Sequence, residues 1–370
     1  MGILIGVAFL AAPAPPVVGQ TLPLRQDSAR QVYAQGVVAS RQGTYQGLRD
    51  AIAHWERAVE IARSAEDQPG ESFVLTRIGD AYRQLGNADS AAAFHRRAAL
   101  VAQEAGDTKR QSIAFNQLGL DYKYDARPAE AREAYHHALR ASRAARDSPG
   151  EAAALNNLGE LYRGIGQFDS ALVYLRQASV VMRELQDRQG EAVTLANIAL
   201  VLQALGRPDS ALAVLQHILR VFEKAGNGAG VPITLNNIGE VHRRTGRLDS
   251  AAVYFQRALT AAQRTQHRRA EGMALNNIGL VYQRKGQADT ALVLFRQSLE
   301  LARRFGNRAG EAAALNNIGS AFEDLSHLDS AFTYFSRALT VTHEVGDPSS
   351  ERIILNNIAR VRRSGRVPPR

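Results

Sequence analysis

The sequence predicts an all-α solenoid: helical hairpins stacked side by side, about eight of them, closed by one further helix. Three observations carry that prediction. The chain repeats every 40 residues, its composition is that of helices, and each repeat holds two sets of helix start and stop signals. Leu-Asn-Asn-Leu-Gly begins at Leu155. It returns with Ile for the second Leu at Leu235, Leu275, Leu315 and Leu355, and in weaker copies at Leu75, Phe115 and Leu195. A second marker, Asp-Ser/Thr-Ala, follows in phase from Asp89, Asp169, Asp209, Asp249, Asp289 and Asp329. Ala supplies 61 of 370 residues and aromatics only 6%, which favours packed helices and opposes a β fold.

In chain order, the first element is an apolar run from Ile3 to Ala12, followed by Ala-Pro-Ala-Pro-Pro. It is too short to span a bilayer and suits the core of an export signal. Val17 and Gly19 fit the small-residue positions before a cleavage point, so residues 1–19 are expected to be a signal peptide and the protein exported, periplasmic or extracellular. A basic segment before the run is missing, so cytoplasmic is the alternative. Residues 20–27 read as a linker, 28–66 as a degenerate first repeat, 67–346 as seven 40-residue repeats, 347–363 as a C-terminal capping helix and 364–370 as a disordered tail.

Residues 147–186 show why each repeat is two helices. Asp147 is an N-cap candidate with Pro149 in the first turn, and Leu155, Leu158 and Tyr162 mark an apolar stripe at helical spacing. Gly166 stops this helix A. Asp169 is expected to cap helix B, whose inner stripe is Ala171, Tyr174, Leu175 and Ala178. Helix-A caps recur as Asp27, Asp67, Asp107, Asp147, Asp187, Asn227, Asn307 and Asp347, a series that His267 is expected to break. One junction differs: Gly226, Gly228, Gly230 and Pro232 predict a late helix start near Gly230 and a soft seam.

Packing is also written in the repeat. One helix-A phase holds Gly79, Gly119, Gly159, Ala199, Gly239, Gly279, Gly319 and Ala359, and one helix-B phase holds Ala51 through Ala331 without exception. Large residues nearby, among them Trp55, Leu175, Phe255, Phe295 and Phe335, fill the space that small ones leave. No hairpin buries its stripe alone, so the units must stack.

The residues Leu155, Leu158, Gly159, Tyr162, Ala171, Leu175 and Ala178 resemble the signature of the tetratricopeptide repeat. The 40-residue period is similar to the longer variety seen in kinesin light chain, and the resemblance covers roughly residues 28–363. It implies a right-handed superhelix with helix A on the concave face. The opening segment, with Tyr33, Gly36, Gly43 and Trp55, is similar to bacterial arrays that precede a CHAT protease domain. Such a protease needs a catalytic Cys, and this sequence has none.

The absence of Cys also excludes disulfides, Cys-ligated zinc and iron–sulfur clusters. The net charge of +9 comes from 45 basic residues, nearly all Arg, spread evenly rather than in a block. No two His stand at the helical metal spacing, and Gly226–Gly230 lacks the Lys-Ser/Thr of a phosphate loop, so no catalytic residue, metal or cofactor is assigned.

The Asn pairs carry the functional reading. Asn is a mediocre helix-interior residue, so its repetition needs a reason. In kinesin-light-chain-like arrays the resemblance implies that such amides clamp the backbone of an extended peptide, and an amide with both donor and acceptor suits that task. The second Asn of each pair is the expected contact: Asn157, Asn197, Asn237, Asn277 and Asn317. The alternative is that the pairs bond neighbouring helices and maintain stacking. Further along helix A, Tyr124, Arg163, Arg243, Arg244 and Arg284 are expected to edge the same groove, beside Arg83, Lys123 and Arg363. An acidic or C-terminal carboxylate ligand suits that edge, while Glu160 and Glu240 read as a solvated face. The reading is a non-catalytic scaffold for a protein or peptide partner, with no small-molecule substrate and no membrane span in the mature chain. A regulatory or sensor array of a larger signalling or CHAT-type system is the alternative. Nucleic-acid binding ranks third, since little but Tyr124 offers a stacking surface.

Overall fold

The structure, a computed structural model, describes residues 22–364. The expected signal peptide, the start of the linker and all but the first residue of the tail lie outside the described residues. Among the described residues there are 17 α-helices and no strand. In chain order they alternate A and B: α1 (Asp27–Ser40) and α2 (Tyr45–Ser64), α3 (Gln68–Gln84) and α4 (Ala88–Glu104), α5 (Thr108–Tyr124) and α6 (Pro128–Ala144), α7 (Ser148–Gly164) and α8 (Phe168–Glu184). Then come α9 (Arg188–Ala204) and α10 (Pro208–Lys224), α11 (Gly230–Arg244) and α12 (Leu248–Arg264), α13 (Arg268–Arg284) and α14 (Ala288–Arg304), α15 (Arg308–Asp324) and α16 (Leu328–Val345), and a final A helix, α17 (Pro348–Arg363).

Two compact units divide this array, α1–α9 up to Leu205 and α10–α17 from Gly206. Within each, consecutive helices pack on one another, and A helices also touch the next A helix: α3, α5, α7 and α9 in the first unit, α11, α13, α15 and α17 in the second. Each unit is thus an α-solenoid in which a helix meets only near neighbours along the chain.

The glycines of helix A explain the close approach. A Cβ at Gly119 would lie 2.6 Å from the Tyr135 ring, one at Gly239 2.6 Å from Phe255, one at Gly279 2.5 Å from Phe295 and one at Gly319 2.7 Å from Phe335. All four rings are fully buried. The aromatic side chain of helix B therefore occupies the volume that helix A leaves empty.

Most of the expected helix-A caps are found, with departures at single positions. Asp67, Asp107, Asp187 and Asn307 accept from the backbone N–H three residues on, at 2.9–3.2 Å. Asn227 accepts from Gly230 N at 3.1 Å but is not the cap: α11 starts late and its cap position is Ala229. Asp27 is not a cap: α1 is preceded by Gln26, and Asp27 pairs with Arg30 instead. Asp147 stands at the cap position without bonding from its side chain. His267 keeps the series, its Nδ1 accepting from Ala270 N at 3.3 Å, because a neutral ring nitrogen can replace a carboxylate there. The expected cap Asp169 also shifts: α8 follows Gln167, so Asp169 is the second helical residue. In the first turn its charge favours the partial positive charge of the free amides without a capping bond.

Tight turns join the helices through one left-handed residue. This is usually Gly, as at Gly246 (φ 78°), but Ala126 and Ser326 adopt φ 54° and 61°. At the soft junction α11 does start at Gly230 and has 15 residues where most of the other helices have 17. The late start leaves Pro232 in the first turn, where its missing N–H is no loss. Amide exchange over 226–231 is expected to be faster than over the equivalent 186–191, as mass spectrometry after brief deuteration can measure; equal protection would remove the soft seam.

Candidate interaction face

Successive A helices are stitched by side-chain amides. Asn157 Nδ2 donates to Asn116 Oδ1 at 3.3 Å, and Asn197 Nδ2 to Asn156 Oδ1 at 3.2 Å. In the second unit Asn277 donates to Asn236 at 3.3 Å, Asn317 to Asn276 at 2.9 Å and Asn357 to Asn316 at 2.9 Å. The second Asn of one repeat thus donates to the first Asn, or its equivalent, of the repeat before. Asn197 and Asn317 are buried and Asn157 and Asn277 half-buried. Asn237 is the exception among the expected contacts. Among the described residues its half-buried side chain makes no hydrogen bond. Its neighbour Asn236 is also incomplete: Nδ2 is buried without a partner.

Charged groups add a second row. Lys123 Nζ donates to Glu160 Oε2 at 2.8 Å, and Arg83 to Asp121 at 2.6 Å and Gln117 at 2.9 Å. Burial raises the Glu160 carboxyl, but Lys123, and then Arg163 and the Asn197 amide, pull it below the usual carboxylate range. In the second unit Glu240 accepts two bonds from Arg243 at 2.7 Å and one from Arg244 at 2.9 Å. Glu160 and Glu240 are therefore not a solvated face: each is half-buried and committed to cations. By the same pairing the expected basic edge is largely neutralised at Arg243 and Arg244. Arg284 and Tyr124 are exposed, and among the described residues Arg284 makes no ion pair.

Sequence reading missed one cluster. His95 is completely buried on α4, in the phase where other repeats carry Tyr135, Leu175 or Phe255. Its Nδ1 faces Asp121 Oδ2 at 2.5 Å, and Nε2 faces Thr76 O at 3.1 Å and Asp80 Oδ1 at 3.5 Å. Acceptors at both nitrogens favour the doubly protonated ring. Burial pulls the imidazole down, and the Asp121 and Asp80 carboxylates more than reverse it, so it titrates above its ordinary value. Two signals were available: a His in a phase reserved for large apolar residues, and Asp121 where the equivalent positions are Leu161, Val201, Val241 and Val281.

Among the described residues no group of His, Asp and Glu could hold a metal ion, and no helix is long and apolar enough to cross a membrane.

The chain belongs to the tetratricopeptide repeat family, whose model matches residues 30–104, 110–184, 190–264 and 271–343. The fold is similar to that of apo NprR, a quorum sensor from B. thuringiensis, at 14% identity and TM-score 0.57 over 86% of this chain and 89% of that one. It is also similar to a Rap protein complexed with competence and sporulation factor, at 14% identity and TM-score 0.51 over 91% and 97% of the two chains. A STAND ATPase with a tetratricopeptide repeat sensor from Pyrococcus horikoshii aligns at 12% identity and TM-score 0.53. That alignment takes in 92% of this chain, which spans half the length of the ATPase. No curated protein sequence matches the chain.

Proposed function

We propose that the chain is a non-catalytic interaction scaffold that takes an extended segment of a partner protein along its A-helix face. The observation that carries this reading is the amide of Asn237, which pairs with nothing among the described residues while its equivalents in each unit pair helix to helix. Asn237 holds the repeat phase of those amides, yet among the described residues its own amide makes no hydrogen bond, beside the unpartnered Nδ2 of Asn236. A peptide backbone offers the complementary C=O and N–H whatever its side chains. The ladder bonds answer for Asn157, Asn197, Asn277 and Asn317 structurally, so Asn237 is the position where stacking and binding come apart.

Asn317→Ala removes a buried 2.9 Å bond and is expected to cost about 1–2 kcal/mol, read as a lower melting temperature. Asn237→Ala is expected to melt within a few tenths of a kcal/mol of wild type while losing affinity for peptides enriched from a random library. Unchanged peptide affinity in that variant would turn the row into a purely stacking device.

A second reading follows from the fold, which serves a quorum sensor and the sensor part of a STAND ATPase: an array that regulates a separate effector.

A further inference from the structure

The charged row on the first unit ends abruptly at Arg163. Lys123 on α5 reaches Glu160 on α7 across an offset of 37 residues. The same offset joins Gln283 to Ser320 and Glu323 to Arg360 in the second unit. From Arg163 it leads to Leu200 on α9. The next position, where Asp121 stands relative to Arg83, is Val201. Neither can answer a guanidinium. Among the described residues Arg163 forms no ion pair, and its Nε is buried without a hydrogen-bond partner. Glu160, one turn back on the same helix, already accepts from Lys123 at 2.8 Å and Asn197 at 3.1 Å. On α9, in the same repeat phase as Arg163, Gln203 Oε1 is a buried acceptor that receives nothing.

Two adjacent A helices thus present a cation short of an anion and an amide oxygen short of a donor. At Arg83, Lys123 and Gln283 a neighbouring repeat supplies the missing group. We propose that at the α7–α9 seam an acidic side chain, Asp or Glu, of the bound extended segment supplies it, its carboxylate meeting Arg163 while a backbone N–H of the segment serves Gln203. This rests on the extended-segment reading above and gives that segment a fixed chemical requirement at one place. A half-buried guanidinium makes charge-assisted bonds stronger than neutral ones, and the net charge of +9 draws an acidic partner toward the surface.

The test is selection from a random-peptide library displayed with fused C-termini, so that every carboxylate offered is a side chain. Wild type, Arg163→Gln and Leu200→Glu are panned in parallel. Leu200→Glu places a carboxylate within the chain where Glu160 stands to Lys123, so it should fill the site from inside and raise the melting temperature slightly rather than lower it. Wild type is expected to enrich peptides with Asp or Glu fixed at one position. Both variants should lose that acid and keep the other preferences. A synthetic winner should bind each variant about tenfold more weakly, while its Gln or Asn analogue binds all three alike. An unchanged acid preference in the variants, enrichment without an acid in wild type, or enrichment only from a library with free C-termini would each overturn this inference and leave the scaffold reading in place. Failure of all three proteins to enrich any peptide would overturn that reading as well.

Discussion

Replacing Phe295 by Ala is expected to lower the stability of the α13–α14 hairpin by about 4 kcal/mol. The ring is fully buried and lies against Gly279, where helix A offers no side chain to move into the hole. Collapse is further limited because Ala291 and Ser298, on the same helix, are small. The opposite error is smaller. Gly279→Ala puts a Cβ 2.5 Å from the ring, an overpacking cost of about 1–3 kcal/mol set against roughly 1 kcal/mol of helix propensity. Pairing Gly279→Ala with Phe295→Leu should recover most of the loss. The sequence already makes that exchange once, with Ala199 in the glycine phase and Leu215 in the ring phase. Hydrogen exchange resolved by helix checks both claims: protection should fall in α13, α14 and their immediate neighbours and stay native in α1–α6. A loss below about 1 kcal/mol would contradict the packing account.

The second large effect is electrostatic. His95 is held by Asp121 on α5 and by Thr76 O and Asp80 on α3, with Arg77, Arg83 and Gln117 completing the surroundings. Because its folded value lies above the ordinary 6.5, protonation of His95 adds stability that is fully present below about pH 6.5 and is lost as pH rises through the folded value. His136, His137 and His242 shift the other way through burial, so the whole-protein curve mixes both signs. The informative quantity is the melting difference between wild type and His95→Phe, which carries the ring used by later repeats. That difference should move against wild type as pH climbs above 6.5; a flat difference would mean that His95 is neutral throughout. Asp121→Ala removes the carboxylate that His95 Nδ1 and Arg83 share, leaving Asp80 at 3.5 Å from each, and is expected to cost about 3 kcal/mol, read by chemical denaturation.

These two regions also mark what could be read from residues alone. The Gly–Phe complementarity was legible because both partners lie within one repeat and recur in three successive copies, at Gly239/Phe255, Gly279/Phe295 and Gly319/Phe335. The His95 cluster was not, because it joins single departures from the pattern on three helices. A period search discards such departures as noise. The Asn pairs were visible as a motif, but their bonding depends on how adjacent A helices are offset. Asn277 meets Asn236, 41 residues away, rather than its exact equivalent, and spacing alone does not show which of the pair faces its neighbour. Helix starts were legible to within a residue or two, as Asp169 illustrates: an Asp suits both the cap and the first turn, and the sequence does not separate them.

The interfaces between repeats are also interchangeable. Asn317 finds at Asn276 what Asn277 finds at Asn236, and Phe255, Phe295 and Phe335 each sit on a glycine of their own hairpin. Excising residues 267–306 would bring Asn317 up to Asn236 with the same amide partner and no orphaned ring. A gene with such repeats can gain or lose this module by unequal recombination without rewriting the junctions on either side of it. The length of the array can thereby change in whole 40-residue steps, while irregular sites such as His95 and Arg163 fix which modules cannot be traded.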